Sequence, residues 1–153
     1  MLKEVMIPER RKHALIGRGG SVKREIEEKT ATRINISDSI EINGEPLDAL
    51  AAASVVTAIG RGFSHDVALE LLDDENTLYV IEFPGNSERI KARIIGTRGK
   101  AKRRMEIDTG THISIYGKTV SILGKHDAVH VAKRVIERLM QGAPHRNAYK
   151  LMK

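Results

Sequence analysis

Two short glycine-rich segments hold the residues of this 153-residue chain that are best suited to bind a ligand. They are Gly17-Arg18-Gly19-Gly20 and Gly96-Thr97-Arg98-Gly99, and each has an arginine at one of its two middle positions. Glycines allow two helices to meet in a sharp turn, so a ligand can approach the main chain closely. The N–H groups of the following helix then point at the ligand, and the helix dipole favours a negative charge. Each segment therefore predicts a site for the phosphate backbone of a nucleic acid.

Basic side chains surround both turns. The stretch from Arg89 to Arg104 contains eight Lys and Arg residues and no acid, and the stretch from Arg10 to Arg24 contains six and no acid. Such side chains suit contacts to phosphate, which position a nucleic acid without reading its sequence. The residues that we predict to bind nucleic acid are Gly17, Arg18, Gly19, Gly20, Lys23 and Arg24 in the first stretch and Gly96, Thr97, Arg98, Gly99, Lys100, Lys102, Arg103 and Arg104 in the second.

The two turns belong to one internal repeat. Gly17 and Gly96 lie 79 positions apart, and the same spacing places Thr30-Ala31-Thr32 on Thr109-Gly110-Thr111. Further along, the spacing becomes 80, because one loop of the second copy is a residue longer. A repeat of this length decides the architecture of a chain. It predicts two similar modules, residues 1–76 and residues 77–153.

Several elements must position the turns. Each copy is predicted to contain, in order, a strand, a helix, the glycine turn, a helix, two strands, a helix and a short final helix. Arg33–Ser37 and His112–Ile115 alternate polar and apolar residues, as half-buried strands do, and each would form a hairpin with the next strand. We expect Ser21 to cap the helix after the first turn. The pattern predicts an α+β fold in which each module has a three-stranded antiparallel sheet with helices packed on one face.

Charge and composition restrict the class of protein. The first module has 10 Lys and Arg against 14 Asp and Glu, a net charge of −4, whereas the second has 16 against 6, a net charge of +10. A polyanion should prefer the second module. No run of 18 apolar residues is present to cross a membrane, and Met1–Pro8 is too short and polar for a secretory signal. The chain has no cysteine, which fits a reducing compartment, and we expect a cytoplasmic location.

Other residues whose spacing could support chemistry are few. His126 and His130 lie four apart on a predicted helix, a metal-ligand spacing, but no third ligand follows from the sequence and a solvated helix face is favoured. Glu27-Glu28 and Asp73-Asp74-Glu75 are carboxylate clusters that fit a solvated helix and a linker better than acid/base catalysis. The chain has no nucleotide-binding or hydrolase motif. We therefore expect no catalytic residue, no metal site and no cofactor, and a protein that is not an enzyme.

The paired turns and the order of elements resemble tandem KH domains of type I, whose G-x-x-G turn clamps a nucleic-acid backbone. More narrowly, the chain resembles the archaeal Partner-of-Nob family of KH ribosome-assembly factors, and the resemblance covers nearly the whole chain. The stretches that carry it are Ala58–Ser64, Gly99–Glu106, Thr109–Val120 and His145–Met152.

The resemblance implies a function. A member of this family would bind single-stranded RNA at the 3′ end of small-subunit rRNA and assist its maturation. Its expected partners are that RNA, the maturation endonuclease and the alpha subunit of initiation factor two, with no membrane among them. The acidic first module is a candidate surface for a protein partner.

Two points stay open in the sequence. KH domains usually have an apolar residue three positions after the last glycine of the turn, where this chain has Lys23 and Lys102, so the depth of its binding groove is uncertain. A second reading is an adaptor in translation initiation or RNA decay that acts mainly by docking another protein. A sister assembly-factor family has similar motifs in its second module. The choice of RNA would separate these readings, because an assembly factor should prefer the rRNA 3′ end to an unrelated strand.

Overall fold

A computed structural model describes residues 1–85 and 87–153 of the chain. The backbone divides into two compact units, Met1–Asp73 and Asp74–Lys153. The first strand of the second unit begins at Asn76, which pairs with Lys125 in an antiparallel ladder. No helix among the described residues is long and apolar enough to cross a membrane.

The first unit contains one antiparallel sheet of three strands in the order β1-β3-β2. Its elements, in chain order, are β1 (Leu2–Val5), α1 (Lys12–Ile16), α2 (Ser21–Thr30), β2 (Arg33–Ile36), β3 (Ile40–Asn43), α3 (Pro46–Gly60) and α4 (His65–Ala68). Single 3-10 turns lie at Glu9–Arg11, Arg18–Gly20 and Leu69–Leu72. In β2 and β3, Ile34, Ile40 and Ile42 are buried, because alternate residues of a strand face the same side.

The second unit repeats this arrangement, with strands in the order β4-β6-β5. Its elements are β4 (Asn76–Glu82), α5 (Glu88–Ile95), α6 (Lys100–Thr109), β5 (His112–Tyr116), β6 (Thr119–Lys125), α7 (His126–Met140) and α8 (His145–Tyr149), with 3-10 turns at Thr97–Gly99 and Lys150–Met152. The core joins Ile94 of α5, Met105 of α6, Ile122 of β6 and Ile136 of α7. The predicted α+β fold, with a three-stranded antiparallel sheet in each half, is confirmed.

Matching threonines connect the helix after each turn to its strand. Thr30 Oγ1 lies 2.6 Å from the carbonyl oxygen of Ile26 and 2.7 Å from Thr32 Oγ1. Thr109 Oγ1 lies 2.5 Å from the carbonyl oxygen of Met105 and 2.8 Å from Thr111 Oγ1. The residue between each pair of threonines has a left-handed backbone that ends the helix. This repeated link fixes the angle at which β2 and β5 leave their helices.

Candidate nucleic-acid interface

The first glycine of each turn lies where two helices meet most closely. Gly17 and Gly96 both have φ of +74°, with ψ of 177° and 174°, a conformation that is essentially restricted to glycine. A Cβ on Gly17 would lie 2.8 Å from the backbone nitrogen of Val22, and a Cβ on Gly96 would lie 2.7 Å from that of Ala101. Both contacts are too short to exist. The glycine therefore sets how closely the two helices approach each other.

The last glycine of each turn begins the next helix. Gly20 and Gly99 have left-handed backbones and occupy the capping positions of α2 and α6, and neither helix start has a side-chain cap. The predicted cap at Ser21 is wrong, because Ser21 is the first helical residue and its side chain does not accept a hydrogen bond from the helix start. The first N–H groups are already used by the 3-10 turns: those of Gly20 and Gly99 donate to the carbonyl oxygens of Gly17 and Gly96, and those of Ser21 and Lys100 donate to Arg18 and Thr97. The positive end of each helix dipole lies at the turn and favours an anionic ligand.

The arginines of the two turns stand at different positions. Arg18 is the first middle residue of its turn, whereas Arg98 is the second and matches Gly19 in the first copy. Both Gly19 and Arg98 have left-handed backbones, with φ of +60° and +56°. That conformation costs a residue with a side chain about 1–2 kcal/mol. The second turn therefore holds a strained arginine at its tip, and no hydrogen bond or ion pair joins that side chain to any described residue.

The arginines and lysines after the turns differ in what they contact. Arg24 Nη1 donates a hydrogen bond of 2.7 Å to the carbonyl oxygen of Gly19, so this side chain braces the first turn. Lys100 and Arg103 are exposed at the start of α6. Arg104 lies 3.5 Å from an Asp108 carboxylate oxygen. The fourteen predicted residues thus lie at or just after the two turns. Some of their charged groups are bonded to other residues of the protein, whereas others are exposed to solvent.

The two lysines that depart from the usual KH pattern are held by glutamates. Lys23 Nζ lies 3.3 Å from Glu27 Oε2, and Lys102 Nζ lies 3.4 Å from Glu106 Oε1. The same glutamates accept backbone hydrogen bonds from the next strand, at 2.8 Å from Ile34 N to Glu27 and 2.9 Å from the N–H of Ile113 to Glu106. Each lysine is about two-thirds buried, with 33% of its side chain exposed. Lysine at this position therefore supports a glutamate bridge between helix and edge strand.

This bridge differs from the prediction that Glu27-Glu28 is a solvated carboxylate cluster, because Glu27 joins α2 to β2. The signal was available, because Lys23 and Glu27 recur as Lys102 and Glu106 at the repeat spacing of 79.

Replacing Glu27 with alanine should destabilise the first unit by about 2 kcal/mol, because it leaves the Ile34 N–H and the Lys23 ammonium without their acceptor. Urea unfolding and NMR hydrogen exchange of the Ile34 amide would measure the change. Glu28→Ala is the matched control, since Glu28 is the next residue of the same helix and is exposed. Equal effects of the two substitutions would contradict the bridge.

The grooves beside the two turns are lined by different side chains. In the first unit a groove between α2 and β2 is lined by Lys23, Glu27 and Glu28, among others. The position of Glu28 is taken in the second unit by Ile107, whose side chain is 78% exposed. Acids and bases thus share the lining of the first groove, which also includes Arg33, whereas the exposed apolar Ile107 takes the position of Glu28 in the second unit.

The described residues contain no cluster of three or more His, Cys, Asp and Glu side chains that could hold a metal ion. His126 Nε2 lies 3.3 Å from the carbonyl oxygen of Asp74, and His130 is exposed.

Comparisons with known proteins identify both units. The family described as "Eukaryotic type KH-domain (KH-domain type I)" matches residues 80–153, and the family described as "KH domain" matches residues 2–57. The fold and the two glycine turns thus define a tandem KH-domain protein. The chain belongs to the Partner-of-Nob family, which includes pno1 and archaeal Dim2p, as the resemblance in its sequence predicted.

Two curated relatives illustrate the match. KH domain-containing protein MJ0443 of Methanocaldococcus jannaschii is 38% identical over 159 residues, which cover 95% of this chain and 70% of that protein. RNA-binding protein pno1 of Dictyostelium discoideum is 34% identical over 109 residues, which cover 64% of this chain and 44% of that protein.

Solved structures share the fold of the whole chain. Dim2p from Pyrococcus horikoshii OT3 is 35% identical with a TM-score of 0.93, and the match covers 99% of this chain and 98% of that one. A chain in the a/eIF2alpha-aDim2p-rRNA complex of the same organism is also 35% identical, with a TM-score of 0.92 and coverage of 99% and 92%.

Proposed function

We propose that this protein is a single-stranded RNA-binding ribosome-assembly factor. It holds the 3′ end of small-subunit rRNA and assists its maturation without catalysing a reaction itself. The second glycine turn is the observation that carries the proposal. Its uncapped helix start, its exposed Arg98 and the closely packed Gly96 form one surface suited to a phosphate backbone.

The proposed contacts differ in kind. Phosphates approach the positive end of the α6 dipole, while Thr97 and Arg98 contact them from the tip of the turn. Lys100 and Arg103 extend the positive charge along the exposed side of α6. Lys102 supports the fold of the site through Glu106 more than it contacts RNA, because its ammonium group is already paired.

The second unit is the principal RNA site in this proposal. Over Asp74–Lys153 it has 16 Lys and Arg against 8 Asp and Glu, a net charge of +8, whereas Met1–Asp73 has 10 against 12, a net charge of −2. Ile107 offers an apolar surface to a base where the first unit has the acid Glu28. The first turn keeps Gly17, Arg18, Gly19 and Gly20 in the same backbone geometry, so it serves as a second and weaker contact for a longer strand.

Protein partners follow from the family. The archaeal relative forms a complex with a/eIF2alpha and rRNA, and we extend that pairing to this chain, with the acidic first unit as the docking surface. The maturation endonuclease is a further proposed partner that rests on the family resemblance alone. A cytoplasmic location is part of the same proposal.

RNA preference tests the function. The wild-type chain should bind a labelled oligonucleotide of the rRNA 3′ end at least about 10-fold more tightly than an unrelated strand of equal length, as base-specific KH recognition of single strands requires. Fluorescence anisotropy would measure both affinities. The slope of log affinity against log salt should be about −3 for four phosphate contacts to a single strand. Equal affinity for the two strands would favour the protein-docking adaptor instead.

A further inference from the structure

A second groove borders the turn of the second unit on the side of the appended helix. This outer groove, of about 500 Å³, lies between α5, the turn, α6 and α8. The residues of its lining that matter here are Arg89, Gly96, Thr97, Lys100, His145 and Tyr149. Because Gly96 and Thr97 belong to the turn itself, a strand clamped there would reach the outer groove directly.

Two aromatic rings, those of His145 and Tyr149, line one side of the groove. The ring centroids of His145 and Tyr149 lie 5.8 Å apart in an edge-to-face arrangement. His145 Nε2 lies 2.8 Å from the carbonyl oxygen of Arg93, which holds α8 against α5. The guanidinium carbon of Arg104 lies 4.3 Å from the Tyr149 centroid, a cation–π contact that fixes the phenol ring from α6. Aromatic rings held in this way are stacking surfaces for nucleobases.

The groove is also positively charged. Arg89 and Lys100 are exposed, and neither forms an ion pair or hydrogen bond with any residue that the structure describes. No acid among the described residues lines the groove, and Glu88 and Asp108 of α5 and α6 are paired with Lys91 and Arg104, each at 3.5 Å. Burial raises the pKa of the Tyr149 phenol above its usual value of 10.0, so the ring is neutral at physiological pH. The groove thus offers a neutral ring beside two available cations.

The first copy of the repeat lacks this combination. At the repeat spacing, Leu69 stands in place of Tyr149, Glu25 in place of Arg104 and Ser21 in place of Lys100. The same fold therefore forms with none of the three residues. Tyr149 also packs against the core of the second unit, but the exposed Lys100 and Arg104 are not required by the packing that both copies share.

We propose that the outer groove binds one further nucleotide of the strand that the second turn clamps, with its base against Tyr149 and its phosphate between Arg89 and Lys100. This inference rests on the proposed RNA-binding function, which it extends by a subsite on the α8 side of the turn. The protein would then hold a longer segment of RNA than one KH domain grips.

The test measures how tightly RNA of two lengths binds to the wild type and to a variant in which the residue of the first copy replaces Tyr149. Tyr149→Leu should weaken binding of an octanucleotide from the rRNA 3′ end by about 5- to 160-fold, the range for losing one stacked base, and leave a tetranucleotide unaffected. Tyr149→Phe keeps the ring and should bind the octanucleotide like the wild type. The fluorescence of 2-aminopurine, placed in turn on each side of the clamped segment, should be quenched by the wild type on one side only.

Arg104→Glu, which also restores a first-copy residue, tests the groove without changing Tyr149 or Lys100. It should remove the quenching, and thermal unfolding of each variant confirms that the unit is folded. If the wild type binds neither RNA, the proposed function itself fails. If the wild type binds both and Tyr149→Leu binds the octanucleotide equally well, only the outer groove is overturned. If Tyr149→Leu binds RNA like the wild type but no longer binds a/eIF2alpha, the outer groove is a site for a protein ligand and the proposed nucleotide subsite is overturned.

Discussion

A chain in which Thr97 and Arg98 are both aspartate is expected to lose at least about 100-fold of its RNA affinity. Two carboxylates would then stand where the phosphates approach, and like charges at close range oppose binding by several kcal/mol in total. The fold should be retained, because both side chains are exposed and aspartate tolerates the left-handed backbone at position 98. Anisotropy with the labelled rRNA oligonucleotide at fixed salt measures the loss.

The matched control changes the first turn, as Arg18→Asp/Gly19→Asp. We expect this variant to weaken binding of the octanucleotide little and binding of a longer strand by a few fold, since we propose that the first turn is a secondary contact. If both variants abolish binding, the two turns form one continuous track for the RNA. If neither variant abolishes binding, the turns do not clamp RNA, and an adaptor that docks another protein becomes the favoured function.

Gly96→Ala is expected to destabilise the second unit by about 3 kcal/mol and to abolish RNA binding as well. The added Cβ would lie 2.7 Å from both the nitrogen and the Cβ of Ala101, and the backbone at φ +74° and ψ 174° is open only to glycine. Relief of the clash would separate α5 from α6, so the N–H groups of the turn would lose their alignment. Urea unfolding followed by circular dichroism measures the stability.

Gly19→Ala provides the comparison. Gly19 also has a positive φ, but a Cβ there would meet no atom within 4 Å. The cost should therefore be about 1 kcal/mol, that of the left-handed backbone alone. Equal destabilisation by the two alanines would show that backbone strain, and not the packing of the helices, explains the role of Gly96.

The repeat made most of the fold readable from the sequence. Two copies in register identified the glycine turns, and polar–apolar alternation located the hairpin strands of both units. The prediction for Ser21 failed because propensity favours serine as a cap, whereas the left-handed glycine before it already occupies that position. The backbone geometry of the glycine turn therefore decided the capping position, and the capping preference of serine did not.

The side-chain roles were harder to predict, since they depend on contacts between distant residues. The sequence grouped Lys102 with the RNA-binding cations, but its partner Glu106 also binds the N–H of Ile113, a contact that only the packing of α6 on β5 creates. Tyr149 lies 45 positions from Arg104 in the chain, and no local pattern connects the two. A comparison of the two copies, residue by residue, would have singled out Tyr149 because Leu69 takes its place.

The glutamate bridges also bear on how copies of the chain behave toward one another. β2 and β5 are outer strands of their sheets, and an outer strand presents unpaired N–H groups that a strand of another molecule can join. Glu27 and Glu106 occupy one such N–H in each sheet. The same carboxylates that join the helices after the turns to the sheets therefore obstruct edge-to-edge aggregation, and loss of either would open a site for intermolecular β-pairing.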